Sequence, residues 1–202
     1  MISDIDIDTV VTSCIEDILV NLEDSPLPLG DTWVVWEHTD DKANYDDNIR
    51  QICDFNTVQK FWTHVTYIPL PSMFFSSGKV KRKLIGGRSV VSYSIFKEGI
   101  EPKWEDRVAT KGGEWRIRRF RSILELSDIW MDIILALIGG VLEPRANIIG
   151  IRVVDSSHSH KSLYNIEIWS DTIESLQIIK TSLKTALPMV DVEKMYLRNH
   201  KT

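Results

Sequence analysis

The chain has 202 residues, 43% hydrophobic and 26% charged, with a formal net charge of −5. This balance excludes a collagen-like, low-complexity or wholly disordered chain, and the length corresponds to a single domain. The longest apolar run, residues 133–142, is too short for the roughly 20-residue membrane helix, and Cys14 and Cys53 form no CxxC, so a soluble, cytoplasmic, metal-free protein is expected.

Residues 1–30 read as an acidic extension. Val11, Cys14, Ile15, Ile18 and Leu22 fall at helical spacing, and Pro26 and Pro28 end the segment. The first basic residue is Lys42, which argues against a secretory or Arg-rich leader. Charge divides sharply along the chain. Residues 1–41 hold eleven acidic and no Lys or Arg side chains, whereas residues 42–202 hold 24 basic and 18 acidic ones. An acidic head on a body with a basic middle implies a surface that faces a polyanion.

From residue 31 onward a single domain is expected, running to residue 202. Thr32–Trp36 is rich in β-formers and predicts a strand. Asn56-Thr-Val-Gln59 has the form of a capping box and predicts a helix to about Tyr67, stopped by Pro69. Residues 72–89 read as a basic insertion loop carrying Lys79, Lys81, Arg82, Lys83 and Arg88. Strands are predicted at Val90–Phe96 and Glu114–Arg121. Ser122-Ile-Leu-Glu125 opens a second helix that reaches Gly139-Gly140. Gly150–Asp155 and Leu163–Trp169 predict two more strands. Asp171-x-x-Glu174 starts a third helix, closed by Pro188, and the remainder reads as one short strand. The order lacks any βαβ rhythm and predicts an α+β fold, an antiparallel sheet with helices on one face.

Catalytic patterns are few. The glycine pairs match neither a P-loop nor a dinucleotide fingerprint, and His158-x-His160 reads as a solvated loop rather than a metal site. No enzyme activity and no cofactor are expected. The unusual residue is tryptophan, with seven copies against six Phe and five Tyr. Flat recognition of a ring is a task that tryptophan performs and leucine does not.

Trp104-Glu105-Asp106, preceded by Phe96-Lys-Glu-Gly-Ile100-Glu-Pro102 and followed by Gly112-Gly113-x-Trp115, resembles the signature of the eukaryotic translation initiation factor 4E family, the mRNA cap-binding proteins. The resemblance extends through Trp33-x-x-Trp36, Tyr45, Phe55-x-Thr57-Val58-x-x-Phe61-Trp62, Trp130, Leu135-Ala-Leu-Ile138-Gly139 and Ile166-x-Ile168-Trp169. It implies a curved antiparallel sheet with three helices on its convex face and the ligand in the concave front. It further implies that Tyr45 and Trp104 sandwich a 7-methylguanine, that Glu105 takes the guanine edge and that Trp169 faces the methyl group. The methylated base is a delocalised cation, so each ring contributes about 0.5–2 kcal/mol of cation–π attraction. A carboxylate on the guanine N–H groups adds a charge-assisted pair.

Two departures from the family stand out. The first stacking position is Tyr45 where translation-promoting members carry Trp, as in divergent members that act as repressors. The family's phosphate-holding basic positions fall on Glu114, Ser156 and Asn165. Strand parity and loop position offer Arg116, Arg118, Arg152 and Lys161 as replacements. A second surface, implied for partners carrying a Tyr-x-x-x-x-Leu-apolar helix (a scaffold initiation factor or binding protein), comprises Pro28, Val58, Trp62, Leu135 and Gly139. Met131 joins them through the second apolar face of the helix 125–139. The expected function is cap binding with recruitment of such partners by a monomer. The alternative is a repressor or interaction module with weak or lost cap binding.

Overall fold

The structure is a computed structural model that describes residues 25–41, 46–65, 68–75, 84–85, 87–142, 146–157 and 163–200. The predicted N-terminal helix, Tyr45, Lys161, His158, His160 and residues 76–83 and 86 of the basic insertion loop lie outside the described residues.

Among the described residues eight strands and four helices follow one another: β1 (Pro28–Thr39), β2 (Ile49–Thr57), α1 (Val58–Val65), the single turn α2 (Pro71–Phe74), β3 (Leu84–Ile85), β4 (Arg88–Lys97), β5 (Gly113–Ile117), α3 (Ile123–Ile138), β6 (Ile148–Asp155), β7 (Tyr164–Ser170), α4 (Ile173–Ala186) and β8 (Tyr196–Asn199). Seven strands form one curved, wholly antiparallel sheet in the order β2-β1-β4-β6-β7-β5-β8, and β3 pairs with β4 alone. The α+β architecture therefore agrees with the sequence expectation.

Side-chain alternation divides the sheet into two faces. Trp33, Val35, Ile95, Trp115, Ile151, Val153, Ile166 and Ile168 point to the helices, where they join Leu126, Trp130, Ile133, Ile134, Leu176 and Ile179 in the main core. The opposite, concave face is mixed. A small apolar cluster of Phe96, Ala109, Ile149 and Trp169 sits there beside buried Glu114, Arg152, Asn165 and Glu167. Every residue of β6 is buried, because both of its faces are covered.

Helix ends follow side-chain caps, with small shifts from the expected positions. Ser122 Oγ accepts from the Glu125 amide at 3.1 Å, as the sequence predicts, and Gly139 closes α3. The first helix begins one residue later than the Asn56 box suggests: Asn56 and Thr57 end β2, and Thr57 Oγ1 accepts from the Lys60 amide at 3.2 Å. Thr172, rather than Asp171, caps α4 by accepting from the Ser175 amide at 3.2 Å. Strand β5 stops at Ile117, short of the expected Arg121, and Arg119 takes a left-handed backbone with φ 66°. Among the described residues no helix is long and apolar enough to cross a membrane, and no cluster of His, Cys, Asp and Glu is arranged to hold a metal ion.

Candidate functional site

The concave face carries a cavity of about 410 Å³. Trp104, Glu105, Arg116 and Arg152, all singled out in the sequence, line it together with His38, Pro102, Val154, Ser156, Glu167 and Arg198.

Trp104 and Glu105 come from the loop between β4 and β5, and Asp106 holds that loop in shape. The Asp106 carboxylate accepts from the Glu101 amide at 3.2 Å and from the Val108 amide at 2.8 Å. Lys103 ties the same loop to Glu101 and to Asp46, each at 2.8 Å. Pro102 is buried and Lys103 half-buried, while Trp104 and Glu105 stand at the surface. Trp104 is 37% exposed, a large ring held at the cavity mouth. One of its faces is already in use: the Arg198 guanidinium carbon lies 3.7 Å from the ring centroid.

The floor is a chain of buried charges. Arg116 pairs with both Glu114 and Glu167, at 3.2 Å to the latter. Glu114 also receives a hydrogen bond from His200 Nε2 at 3.0 Å, and His200 Nδ1 lies 3.0 Å from the Ala109 carbonyl oxygen. Both ring nitrogens thus face oxygen atoms. Burial pushes the Glu114 carboxyl up, but the His200 hydrogen bond and the Arg116 charge outweigh it, and the group ends below its ordinary range. Burial dominates at Glu167, whose carboxyl is raised despite the nearby Arg152 charge.

Trp169 does not line the cavity. It is fully buried, edge-on to Phe96 with centroids 5.2 Å apart and 4.4 Å from the His200 ring, and its Nε1 donates to Glu167 at 3.3 Å. Arg152 donates to Ser92 Oγ and contacts His38 Nδ1, each at 3.0 Å. Arg118 lies elsewhere, its guanidinium over the Tyr196 ring at 5.1 Å. Two of the positions where the resembling family is basic pair with each other: Asn165 Nδ2 donates to Ser156 Oγ at 2.7 Å.

Sequence reasoning missed His38, Glu167, His200 and Arg198. Arg198 reaches the cavity only because β8 pairs with β5 and places it opposite Glu114. No local signal in residues 189–202 announces that register.

The candidate partner residues lie away from this cavity. The Val58 amide donates to the Leu27 carbonyl at 2.9 Å and Pro28 pairs with Thr57, so the start of β1 and the start of α1 are joined. Trp62 is 54% exposed on α1 and packs edge-on to Phe61 at 5.1 Å. Met131, Leu135 and Gly139 recur every fourth residue along α3 and its cap, with Leu135 exposed and Met131 half-buried.

The eukaryotic initiation factor 4E profile matches residues 28–202. Eukaryotic translation initiation factor 4E of Candida albicans is 29% identical over 182 residues, covering 86% of this chain and 79% of that protein. The 4E-1B factor of Danio rerio is 39% identical over 115 residues, covering 55% of this chain and 48% of its own length. Among solved structures, Ascaris suum eIF4E-3 with the m2,2,7G cap superposes with a TM-score of 0.68 at 26% identity, covering 88% of this chain and 93% of that one. C. elegans eIF4E-3 in complex with the 4E-binding protein Mextli shares the fold, with a TM-score of 0.68 at 22% identity over 88% of this chain and 95% of its own. A match that begins at the first residue of β1 and runs through the whole sheet identifies the chain as a member of the eukaryotic initiation factor 4E family.

Proposed function

We propose that this protein binds the 7-methylguanosine cap of mRNA in the concave cavity and recruits helical partners on the helix side of the sheet. The observation that carries the reading is the arrangement at Trp104. Its indole face accepts a flat, delocalised cation, since the Arg198 guanidinium rests on it at 3.7 Å. A 7-methylguanine is also a flat, delocalised cation, and it adds the stacking area of a fused ring. Glu105, the next residue, supplies a carboxylate for the guanine N1 and N2 protons. Tyr45 is the proposed second ring, and the Lys103–Asp46 pair links the residue before Trp104 to the residue after Tyr45. Trp169, the residue proposed to face the methyl group, is buried against Phe96 and His200 and supports the cavity from behind.

Displacing Arg198 from the indole frees its guanidinium for the cap phosphates. Arg152 lines the same cavity, and Lys161 is the lysine proposed to help from the neighbouring loop. Arg116 suits this task less well, because Glu114 and Glu167 already take its charge.

Trp62 and Leu135, large apolar side chains left open on α1 and α3, are the proposed seat of a Tyr-x-x-x-x-Leu-apolar helix, with Pro28, Val58, Met131 and Gly139 around them. The reading is one of binding, without catalysis or cofactor, in the cytoplasm. Specific retention on 7-methyl-GTP resin, competed by 7-methyl-GTP and not by GTP, supports it. Flow-through of folded protein contradicts it.

A second reading is favoured by the closed Glu114–Arg116–Glu167 network and the Ser156–Asn165 pair. With the family's basic positions turned inward or neutral, the cap is held chiefly by its base, and the protein acts as a repressor that holds partners more firmly than caps. The affinity gain from 7-methylguanosine to its triphosphate separates the two readings: large for the first, near unity for the second.

A further inference from the structure

Residues 116–121 read Arg-Ile-Arg-Arg-Phe-Arg, four guanidiniums in six residues, and the cap reading uses none of the last three. The fold gives them a specific place. Arg116 pairs in register with Tyr196, and Glu114 with Arg198, so Tyr196 and Arg198 share the concave face at the β8 edge of the sheet. Two residues along a strand span about 7 Å, so the Tyr196 ring stands one side-chain step beyond the cation on Trp104.

Tyr196 is 43% exposed. The Arg118 guanidinium lies over its ring at 5.1 Å, and Arg119 Nη2 donates to its hydroxyl at 3.1 Å. Among the described residues neither Arg118 nor Arg119 pairs with a carboxylate, unlike Arg121, which pairs with Glu125, and Lys194, which pairs with Asp191. Arg119 also holds a left-handed backbone at φ 66°, a conformation uncommon for a side chain of this kind. The result is an exposed ring flanked by two guanidiniums without a carboxylate partner, on the strand that also carries Arg198 into the cavity.

We propose that Tyr196, Arg118 and Arg119 form a track for the single-stranded RNA that follows the cap, with a base on the Tyr196 ring and backbone phosphates on the two arginines. Single-strand binding surfaces combine these parts: aromatic platforms worth a stacked base each, and cations that follow the backbone without reading sequence. Neutralising phosphates also makes such binding salt-dependent. The inference rests on the cap reading for the direction of the strand, since the triphosphate leaves the cavity past Arg198 toward Tyr196.

The test compares 7-methyl-GTP, a capped hexanucleotide and the same hexanucleotide uncapped, on the full chain and on Arg119→Ala and Tyr196→Leu. The capped hexanucleotide is expected to bind the wild type several-fold more tightly than 7-methyl-GTP. Both variants are expected to lose most of that gain while keeping the wild-type affinity for 7-methyl-GTP, which also certifies their fold. Arg119→Ala is further expected to reduce the slope of log K against log salt by about 0.7, the increment for one phosphate contact on a single strand. An equal gain in wild type and variants, or no gain in a wild type that binds 7-methyl-GTP, overturns the track. Should 7-methyl-GTP fail to bind at all, the cap reading fails by itself. The uncapped RNA then decides the track: salt-sensitive binding weakened in both variants supports it, and unchanged binding overturns it.

Discussion

Trp104 concentrates the chemistry of the concave face in one side chain. It is 37% exposed and its ring is met by Arg198, so truncation removes a binding surface and little core. Trp104→Ala is expected to weaken cap binding by about 2 kcal/mol or more, roughly thirty-fold, with the unfolding transition nearly unchanged. Titration of 7-methyl-GTP beside a thermal melt checks both halves. Glu114 is the converse case, fully buried and held in its ionised form by His200 and Arg116. Its folded-state value lies below the ordinary carboxylate value of about 4.3, so its pairs stabilise the fold above that pH and the contribution disappears as pH falls through the folded value. Glu114→Gln is therefore expected to cost about 3 kcal/mol at neutral pH, with the difference from wild type closing in acid. Urea denaturation across pH 3–7 measures it; a constant difference would contradict the assignment. That Trp104 and Glu105 stand together at the cavity was legible in the sequence because they are adjacent in one short motif. Glu114, His200 and Arg198 were not, because their meaning depends on which strands are neighbours.

Elements position these residues through close contacts that single atoms can upset. On β6, a Cβ at Gly150 would lie 2.4 Å from Phe96 Cγ, and Phe96 packs edge-on to Trp169. Gly150→Ala is thus expected to drive the Phe96 ring toward Trp169, lowering stability by about 1–3 kcal/mol and the melting temperature by on the order of 5 °C. It should weaken cap binding as well; an unperturbed melt would show that the strand gives way freely. On the helix side, Trp62→Ala is expected to reduce affinity for a Tyr-x-x-x-x-Leu-apolar peptide by roughly 2 kcal/mol, as for a buried aromatic anchor, and to leave cap binding intact. Calorimetry with the peptide checks the first and 7-methyl-GTP titration the second. The helices were readable because their caps are local: Ser122 sits where the pattern places it, and Thr172 displaces Asp171 by one residue. Strand β2 went unread for a physical reason. It is an edge strand in which Phe55 alone is fully buried, so it carries no clean alternation. Arg119 ended β5 early through a backbone angle that composition does not encode.

At the scale of the whole molecule, one sheet serves two surfaces: its helices bury the main core on one side, and its concave side keeps buried charges around a cavity. The chain is acidic in sum, with a net charge of −5, yet Arg152, Arg198, Arg118 and Arg119 lie on or beside that concave edge. Steering of an anionic ligand is consequently local, and its rate should fall as salt rises. The central claim is that the cavity selects a methylated, positively charged guanine. Equilibrium quenching of tryptophan fluorescence by 7-methyl-GTP and by GTP, on the full chain under one buffer, tests it most directly. The expected result is saturable quenching with the methylated nucleotide bound at least tenfold more tightly, the increment of about 1.4 kcal/mol that one cation–π contact provides. Equal affinity for the two nucleotides, or quenching by neither, would contradict it.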